Sequence, residues 1–287
     1  MIEHMDVVFL AVNYNTVAHS LAFARRFDDA PALKGRAALV LVDNSTGSHA
    51  GELASALLGR GSRVACVASG ENLGYFGGAR FGLDYIRSLP WSFRWLVVSN
   101  VDLQFDPESV VAGLSGIDPL RTGVVAPNIM SGLTGTALNP YMRSRPSALR
   151  MRSYKWIYRF YPTMRLYEGL SMVRGRMRNA FSSLGNARLK RLDGSDGIQD
   201  IYAGHDSMLA FSYEYFNRGG NLDHAPFLFG EEISVAEAAR RIGMTLAWHP
   251  GIFVEHAEHV SIGQLPGRRM HGFLKEATAF CADAYFR

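Results

Sequence analysis

Two cysteines are few for a chain of 287 residues. Cys66 and Cys281 lie far apart in the sequence, and no C-x-x-C pair occurs. These facts exclude a disulfide framework and a cysteine-based zinc or redox site. Such sparse cysteine usage is typical of proteins from the reducing cytoplasm.

Long hydrophobic runs are also absent. The apolar run near the start, residues 7–12, has six residues, whereas a helix that crosses a bilayer needs about 20. This run is also too short for the apolar part of a secretory signal, and no basic residue precedes it. We therefore expect any membrane contact of the chain to be peripheral.

Two common nucleotide-binding motifs are missing. The turn "VNYNTVAHS" after the first apolar run contains no glycine, and the glycines of residues 74–82 lack G-x-G-x-x-G spacing. No G-x-x-x-x-G-K-[ST] segment occurs either. The sequence therefore excludes a classical dinucleotide site and a P-loop site.

Short apolar segments alternate with helical patterns over the first 130 residues. We predict strands at residues 7–12, 38–42, 64–67 and 96–98, and helices at residues 17–27, 53–58 and 77–86. This alternation is typical of an α/β fold with a mostly parallel sheet. Ligands bind at the carboxyl ends of the strands in such sheets. The polar residues gather at these ends, at Asn13–Asn15, Asp43–Ser45 and Asn100–Asp102.

The second half of the chain predicts further elements beyond an unusual middle segment. Residues 207–211, 246–248 and 252–254 have strand patterns, and residues 232–242 and 273–286 have helical patterns. Residues 140–192 interrupt the alternation, and Pro162 divides a helical pattern there into two helices. We therefore expect one domain with a first half at 1–139, an insertion at 140–192 and a second half at 193–287.

Acidic residues are nearly absent from residues 141–191. Glu168 is the single acid among thirteen lysines and arginines, so this segment carries a net charge of +12. The whole chain carries +4, which leaves −8 for the remainder. Three interpretations remain open: a solvated helical face, a nucleic-acid site and a surface for anionic lipid. The acidic remainder argues against a broad nucleic-acid face.

The segment "WLVVSNVDLQF" at residues 95–105 begins as a buried strand and ends with a carboxylate at Asp102. A turn alone would explain an Asp at this position, because Asp and Asn side chains bond to their own backbone. Several strand ends with polar residues indicate instead the rim of a binding site.

Five segments in chain order resemble those of a family 2 glycosyltransferase: "VNYN", "LVDNST", "ENLGYFGGARFG", "SNVD" and "FLFGEE". The chain is most similar to the bacterial rhamnosyltransferase-type members. The resemblance covers most of residues 6–262 and is weak at 140–195. It implies a GT-A fold with a Rossmann-type sheet flanked by helices, and a basic helical insertion. It also implies inverting transfer from a nucleotide sugar that is bound through Mn²⁺ or Mg²⁺.

The resemblance assigns residues to the donor side of this reaction. Asp43 matches the acid that recognises the nucleotide base, and Asp102 matches the metal-binding acid of an Asn-x-Asp motif. His256 matches a late histidine of the family and would be a further metal ligand, although a histidine near a strand end is more often structural. The donor-binding residues implied are Asn13, Asn15, Asp43, Asn72, Gly74, Gly78, Asn100 and Asp102.

The acceptor side needs a base, because a hydroxyl is a poor nucleophile until its proton is removed. Glu232 falls on the acid that acts as the base in the family, and Glu231 would be its acceptor-binding neighbour. Acidic residues also favour the N-terminus of a helix, and this preference alone would explain one of the two glutamates. His205 and Asp206 would line the acceptor pocket. Ser234 and Ala238 stand where the family often has Asp and Arg, which leaves a catalytically silent relative as an alternative.

The expected reaction is transfer of rhamnose from dTDP-rhamnose to a glycan or lipid-linked glycan in bacterial surface polysaccharide synthesis. A UDP-hexose or UDP-galactofuranose donor is the near alternative. Because the acceptors of similar enzymes are often lipid-linked, we expect the basic segment to lie on an anionic membrane, at the cytoplasmic face. No nucleic-acid partner is expected, and a homodimer is left open.

Overall fold

The structure is a computed structural model that describes residues 2–58, 64–170, 197–257 and 267–287. Parts of the segments discussed above therefore lie outside the described residues. These are the basic residues Arg174, Arg176, Arg178, Arg188, Lys190 and Arg191.

The described part of the chain contains nine strands and nine α-helices. The strands are β1 Glu3–Asn13, β2 Ala37–Asp43, β3 Val64–Ala68, β4 Trp91–Asn100, β5 Leu103–Gln104, β6 Thr122–Ser131, β7 Gln199–Ile201, β8 Met208–Ser212 and β9 Thr245–His256. The helices are α1 Val17–Asp28, α2 Glu52–Ala56, α3 Tyr75–Ser88, α4 Pro107–Ser115, α5 Ala148–Ile157, α6 at residues 161–170, α7 Tyr213–Asn217, α8 Glu231–Arg241 and α9 Gly267–Tyr285.

All nine strands form one sheet in the order β3-β2-β1-β4-β8-β6-β9-β5, with β7 paired to β9. The parallel pairings β1–β2, β1–β4, β2–β3 and β6–β9 contain most of the paired residues. Strand β8 lies antiparallel between β4 and β6. The α/β prediction with a mostly parallel sheet is therefore confirmed, and strands from before and after the insertion share this sheet.

Helices cover both faces of the sheet. In β1, Phe9 packs on the face that contacts α1 and α4, whereas its neighbour Leu10 packs on the face that contacts α3 and α8. Successive side chains of a strand point to opposite faces. A strand buried on both faces therefore has a continuous apolar run, and β2 is buried along its whole length.

The sequence prediction differs from the structure in several elements. Strands β5, β6 and β7 and helices α4 and α7 were not predicted. Two separate strands at 246–248 and 252–254 were wrong, because residues 245–256 form the single strand β9. Pro250 and Gly251 lie at an irregularity, where β9 pairs His249 with Pro127 and Phe253 with Asn128. Pro250 and Gly251, which are typical of a loop in the sequence, thus lie within a continuous strand.

The insertion begins with two helices, as predicted from Pro162. Helix α5 ends at Ile157 and α6 begins beside the proline, which suits the first turn of a helix. Met151 of α5 packs against Cys281 and Phe286 at the end of the chain. None of the helices in the described ranges combines the length and apolar character needed to cross a membrane.

Gly82 provides a test of the packing between α3 and the sheet. A Cβ at this position would lie 2.5 Å from Val42 and closer still to Leu10, and both side chains are fully buried. We expect Gly82→Ala to lower the free energy of unfolding by about 1–3 kcal/mol, because overpacking strains a filled core. Urea unfolding measures this change. Gly116→Ala is the control, since its added Cβ meets open space and its φ is −80°; equal midpoints for both variants would contradict the prediction.

Candidate functional site

A cleft of about 380 Å³ opens where β1 and β4 end. It brings together nine of the residues that the sequence assigns to the site. These are Asn72, Gly74, Asn100, Asp102, His205, Asp206, Glu231, Glu232 and His256. Asn13, Asn15, Asp43 and Gly78 are not among the residues that line it.

Asp102 and His256 meet because β5 pairs with β9 directly after Asp102. Leu103 is opposite His256 in this pairing, which places His256 Nε2 3.3 Å from Asp102 Oδ1. Both side chains are only 11% exposed, and neither Asp102 Oδ1 nor His256 Nδ1 has a hydrogen-bond partner. A carboxylate oxygen and an imidazole nitrogen are suitable ligands for Mn²⁺. The residues present therefore fit a divalent metal ion.

Asp43 is held in place by its neighbours at the end of β2. Asn13 donates through Nδ2 to Asp43 Oδ1 at 2.9 Å, and the Ser45 amide donates to the same oxygen at 3.0 Å. The other oxygen, Oδ2, is buried without a partner. The fully buried Asn13 and the exposed Asn15, whose amide donates to Ser45 Oγ, thus support this turn from outside the cleft lining.

The glycine-rich loop is fixed before α3. Asn72 Oδ1 accepts from the Gly74 amide at 3.0 Å, and Asn44 Nδ2 donates to the Gly74 carbonyl at 2.8 Å. Gly74 has φ +73°, and a Cβ there would collide with the carbonyl oxygen of Phe227. Gly78 packs behind this loop, where an added Cβ would lie 2.6 Å from Asn44. Gly74 therefore allows close backbone approach, while Gly78 serves packing instead of lining the cleft.

Three carboxylates crowd the other part of the cleft. Asp206, Glu231 and Glu232 each place an oxygen within 4.8 Å of the others. Glu231 is 1% exposed, and its Oε2 has no hydrogen-bond partner. Burial, followed by the charge of Asp206, raises the pKa of both glutamates well above its ordinary value. A carboxyl with a raised pKa is a better proton acceptor near neutral pH than an ordinary one.

A hydrogen-bond chain holds the loop that precedes these glutamates. His224 donates through Nε2 to the Phe229 carbonyl at 2.9 Å, and its Nδ1 lies 2.8 Å from Ser234 Oγ. Tyr285 donates to the same Oγ at 3.1 Å. Burial lowers the pKa of His224 to about 4, so the ring is neutral and Nδ1 accepts from Ser234. Ser234, which stands where the family often has Asp, thus orients His224. His224 in turn holds the carbonyl of Phe229, whose φ is +73°.

His205 lies between the two groups of acids. Its amide donates to Asn139 Oδ1 at 2.7 Å, and its ring lies 5.9 Å from the ring of His256. The Ser207 amide donates to His205 Nδ1 at 3.2 Å. Asp206 follows directly, and Tyr75 donates to its carbonyl at 2.9 Å. Buried Asn139, which the sequence analysis missed, therefore positions His205, and Tyr75 holds the backbone of Asp206.

Further lining residues received no role from the sequence. Most lie inside the quoted motifs, including Tyr14, Asn44, Tyr75 and Phe227–Phe229. Arg269 and Phe273 are different, because α9 begins six residues before the predicted helix. Their spacing of four places them on one helix face, which was the available signal. Among the described lining residues Arg269 is the one lysine or arginine.

Sequence comparison with characterised proteins gives a distant match. No family model matches the chain. The chain is 24% identical over 229 residues to the N-acetylglucosaminyl-diphospho-decaprenol L-rhamnosyltransferase of Mycobacterium tuberculosis. The match covers 77% of this chain and 68% of the relative, and proteins of two strains match equally.

Solved structures give a broader match. GalNAc-T7 with UDP, GalNAc and Mn²⁺ matches with a TM-score of 0.58 at 14% identity, over 90% of this chain; the match spans 44% of that longer chain. A mannosyltransferase of Pyrobaculum calidifontis with GDP-mannose and Mn²⁺ matches with a TM-score of 0.51 at 13% identity, over 97% of this chain and 73% of the other. The chain therefore shares the GT-A fold of these two transferases and is distantly similar in sequence to a rhamnosyltransferase.

Proposed function

We propose that the protein is an inverting glycosyltransferase that moves a sugar from a nucleotide sugar to a lipid-linked glycan. The observation that carries the proposal is the cleft itself. The cleft contains Asp102 and His256, which fit a divalent metal ion, and the closely spaced carboxylates Asp206, Glu231 and Glu232. Transfer needs both parts, because one stabilises the leaving diphosphate and the other activates the acceptor.

Rhamnose from dTDP-rhamnose is the donor sugar that we favour. The support is the name of the mycobacterial relative. The neighbouring structures hold other nucleotides, UDP and GDP-mannose, so a UDP-hexose or UDP-galactofuranose donor is the alternative. The relative's name also supports an acceptor in which the sugar is joined to a polyprenyl diphosphate.

The donor nucleotide would be held at the ends of β2 and β4. Buried Asp43 offers Oδ2 as an acceptor for a base N–H, and Asp102 with His256 would hold the metal ion. When bound, a divalent cation neutralises the charge that develops on the leaving diphosphate. Mn²⁺ in both neighbouring structures supports such a cofactor.

The acceptor hydroxyl would be activated by Glu232. As its oxygen bonds to the anomeric carbon, the bond from that carbon to the donor phosphate breaks, and the hydroxyl proton passes to the Glu232 carboxylate. Attack opposite the leaving group inverts the anomeric centre. Glu231 is buried deeper and would orient the acceptor. Arg269 would bind phosphate at the cleft.

A panel of dTDP-, UDP- and GDP-sugars, each with Mn²⁺ and with EDTA, tests the proposal. A bound donor raises the melting temperature by mass action. Acceptor-dependent nucleotide release, with a polyprenyl-diphosphate-linked N-acetylglucosamine as acceptor, then measures transfer. A donor that binds without any release would identify a catalytically silent relative, and no binding by any donor would overturn the proposal.

We expect Asp102→Ala to remove the metal-dependent part of nucleotide affinity. Wild-type protein should bind dTDP more tightly with Mn²⁺ than with EDTA, whereas the variant should bind equally weakly in both, because a metal ligand is lost. Isothermal titration calorimetry measures both constants. Asp84→Ala, which removes an exposed acid of α3, is the control. A metal-dependent gain that persists in Asp102→Ala would refute the assignment.

We expect Glu232→Gln to lower the transfer rate by roughly 10²–10⁴-fold, because general-base catalysis contributes this much. Donor affinity should hardly change. Glu231→Gln is the matched variant and should raise the acceptor KM with a smaller loss of kcat. Nucleotide release at varied acceptor concentration separates these effects. An active Glu232→Gln beside an inactive Glu231→Gln would mean that the two roles are reversed.

The raised pKa of Glu231 also predicts how stability depends on pH. The folded state binds a proton at Glu231 more tightly than the unfolded state does. The stability that this proton contributes to the fold is therefore complete below the pKa of Glu in the unfolded chain, about 4.3. It is lost as pH rises through the higher folded pKa. In EDTA, Glu231→Gln should therefore melt progressively higher than wild type as pH rises from 5 to 8. A difference in melting temperature that is independent of pH would contradict this.

A further inference from the structure

Helices α5 and α6 and the turn between them expose an unusual number of large apolar side chains. Five of them have between 50% and 76% of their surface exposed: Leu149, Trp156, Phe160, Leu166 and Leu170. Single exposed apolar residues are ordinary, but several on neighbouring elements indicate an interaction surface.

The spacing in α5 shows that this surface faces away from the protein. Leu149 and Trp156 are seven residues apart and lie on one side of the helix. Met151 lies on the opposite side, is 2% exposed, and packs with Cys281 and Ile233. The inner side of α5 therefore already fills a core, and the outer side adds apolar area that the fold does not need.

Basic side chains surround the exposed apolar group. Arg150, Arg152 and Arg159 are exposed, and no carboxylate of the described residues lies within ion-pair distance of them. Arg150 and Arg159 lie over the rings of Tyr154 and Phe160, at 5.4 and 5.5 Å from the ring centroids. Lys155 is instead paired with Asp283 at 2.6 Å. The surface therefore has both apolar anchors and uncompensated positive charge.

We propose that the outer side of α5 and α6 is a docking surface for an anionic phospholipid bilayer. The leucines and aromatic rings enter the boundary between headgroups and acyl chains, and the arginines bind lipid phosphates. Tryptophan favours this boundary because its ring is apolar and its N–H is polar. A second copy of this surface is a poorer occupant, since it would bring the same arginines together.

The docking surface is connected to the cleft through α9. His271 Nε2 lies 2.9 Å from the Tyr158 carbonyl, and the rings of Tyr161 and His271 are 5.5 Å apart. Arg269 and Phe273, in the same stretch of α9, line the cleft. In this respect the inference rests on the proposed function: docking brings the cleft to the surface where a lipid-linked acceptor presents its diphosphate.

Vesicle sedimentation tests the docking surface without any substrate. The probe is phosphatidylcholine vesicles with and without 30% phosphatidylglycerol, at about 0.1 M salt. We expect wild-type protein to bind the anionic vesicles and the combined variant Trp156→Ser, Phe160→Ser and Leu166→Ser to bind at least tenfold more weakly. The control variant Leu58→Ser, Leu120→Ser and Leu133→Ser removes equally exposed leucines elsewhere and should bind as wild type does.

Three outcomes would overturn the inference. One is equal binding of both triple variants, and another is no binding of wild type to anionic vesicles. The third is a dimer, seen by sedimentation velocity without lipid, that the first variant abolishes; this would assign the surface to a second copy. Turnover with a short-chain, water-soluble acceptor is measured in parallel. It should survive in the Trp156 variant, so failure of the docking surface is distinguishable from failure of the transferase proposal.

Discussion

Crowding of negative charge at one edge of the sheet is the constraint on which the rest of the site depends. Asp102, Asp206, Glu231 and Glu232 share a partly buried cleft in which Arg269 is the one described lysine or arginine. Two like charges about 4 Å apart repel by about 4 kcal/mol at the effective dielectric of a protein surface. Burial together with this repulsion raises the pKa of Glu231 and Glu232, which makes their carboxylates stronger bases. Asp102 with His256 offers a place for a cation that would offset the negative charge.

Neutral hydrogen-bond donors hold this charged centre in place. Asn13 orients Asp43, Asn139 orients His205, and the chain through Ser234 and His224 fixes the turn before α8. None of these supports adds a positive charge that would compete for the donor phosphates. Neutral partners hold the side chains in place without offsetting the negative charge of the carboxylates. That charge would then attract a metal ion and an acceptor proton. Ser234 therefore stabilises this loop through its hydrogen bonds, although the family often has an acid at this position.

The sequence predicted the edge of the site better than its interior. Apolar runs with polar ends are a local signal, so the strands that lead to Asp43 and Asp102 were found from their own residues. Partners that come from distant elements have no such signal. Asn139 reaches His205 across 66 positions, and Tyr285 reaches Ser234 across 51. Strand β6 was missed for a different reason: Pro127 and Asn128 interrupt its apolar residues, although the strand lies buried between β8 and β9.

The placement of α9 suggests why the basic insertion lies where it does. Helix α9 packs against α5 through Lys155 and Asp283, and it contributes Arg269 and Phe273 to the cleft. One helix thus touches both the proposed lipid surface and the substrate site. The bilayer would fix the depth of the diphosphate on the proposed lipid-linked acceptor, so the height of the cleft above the same plane would decide whether the two meet. A short, packed connection through α9 sets that height more reproducibly than a flexible linker would, because its side chains are already ordered in the fold.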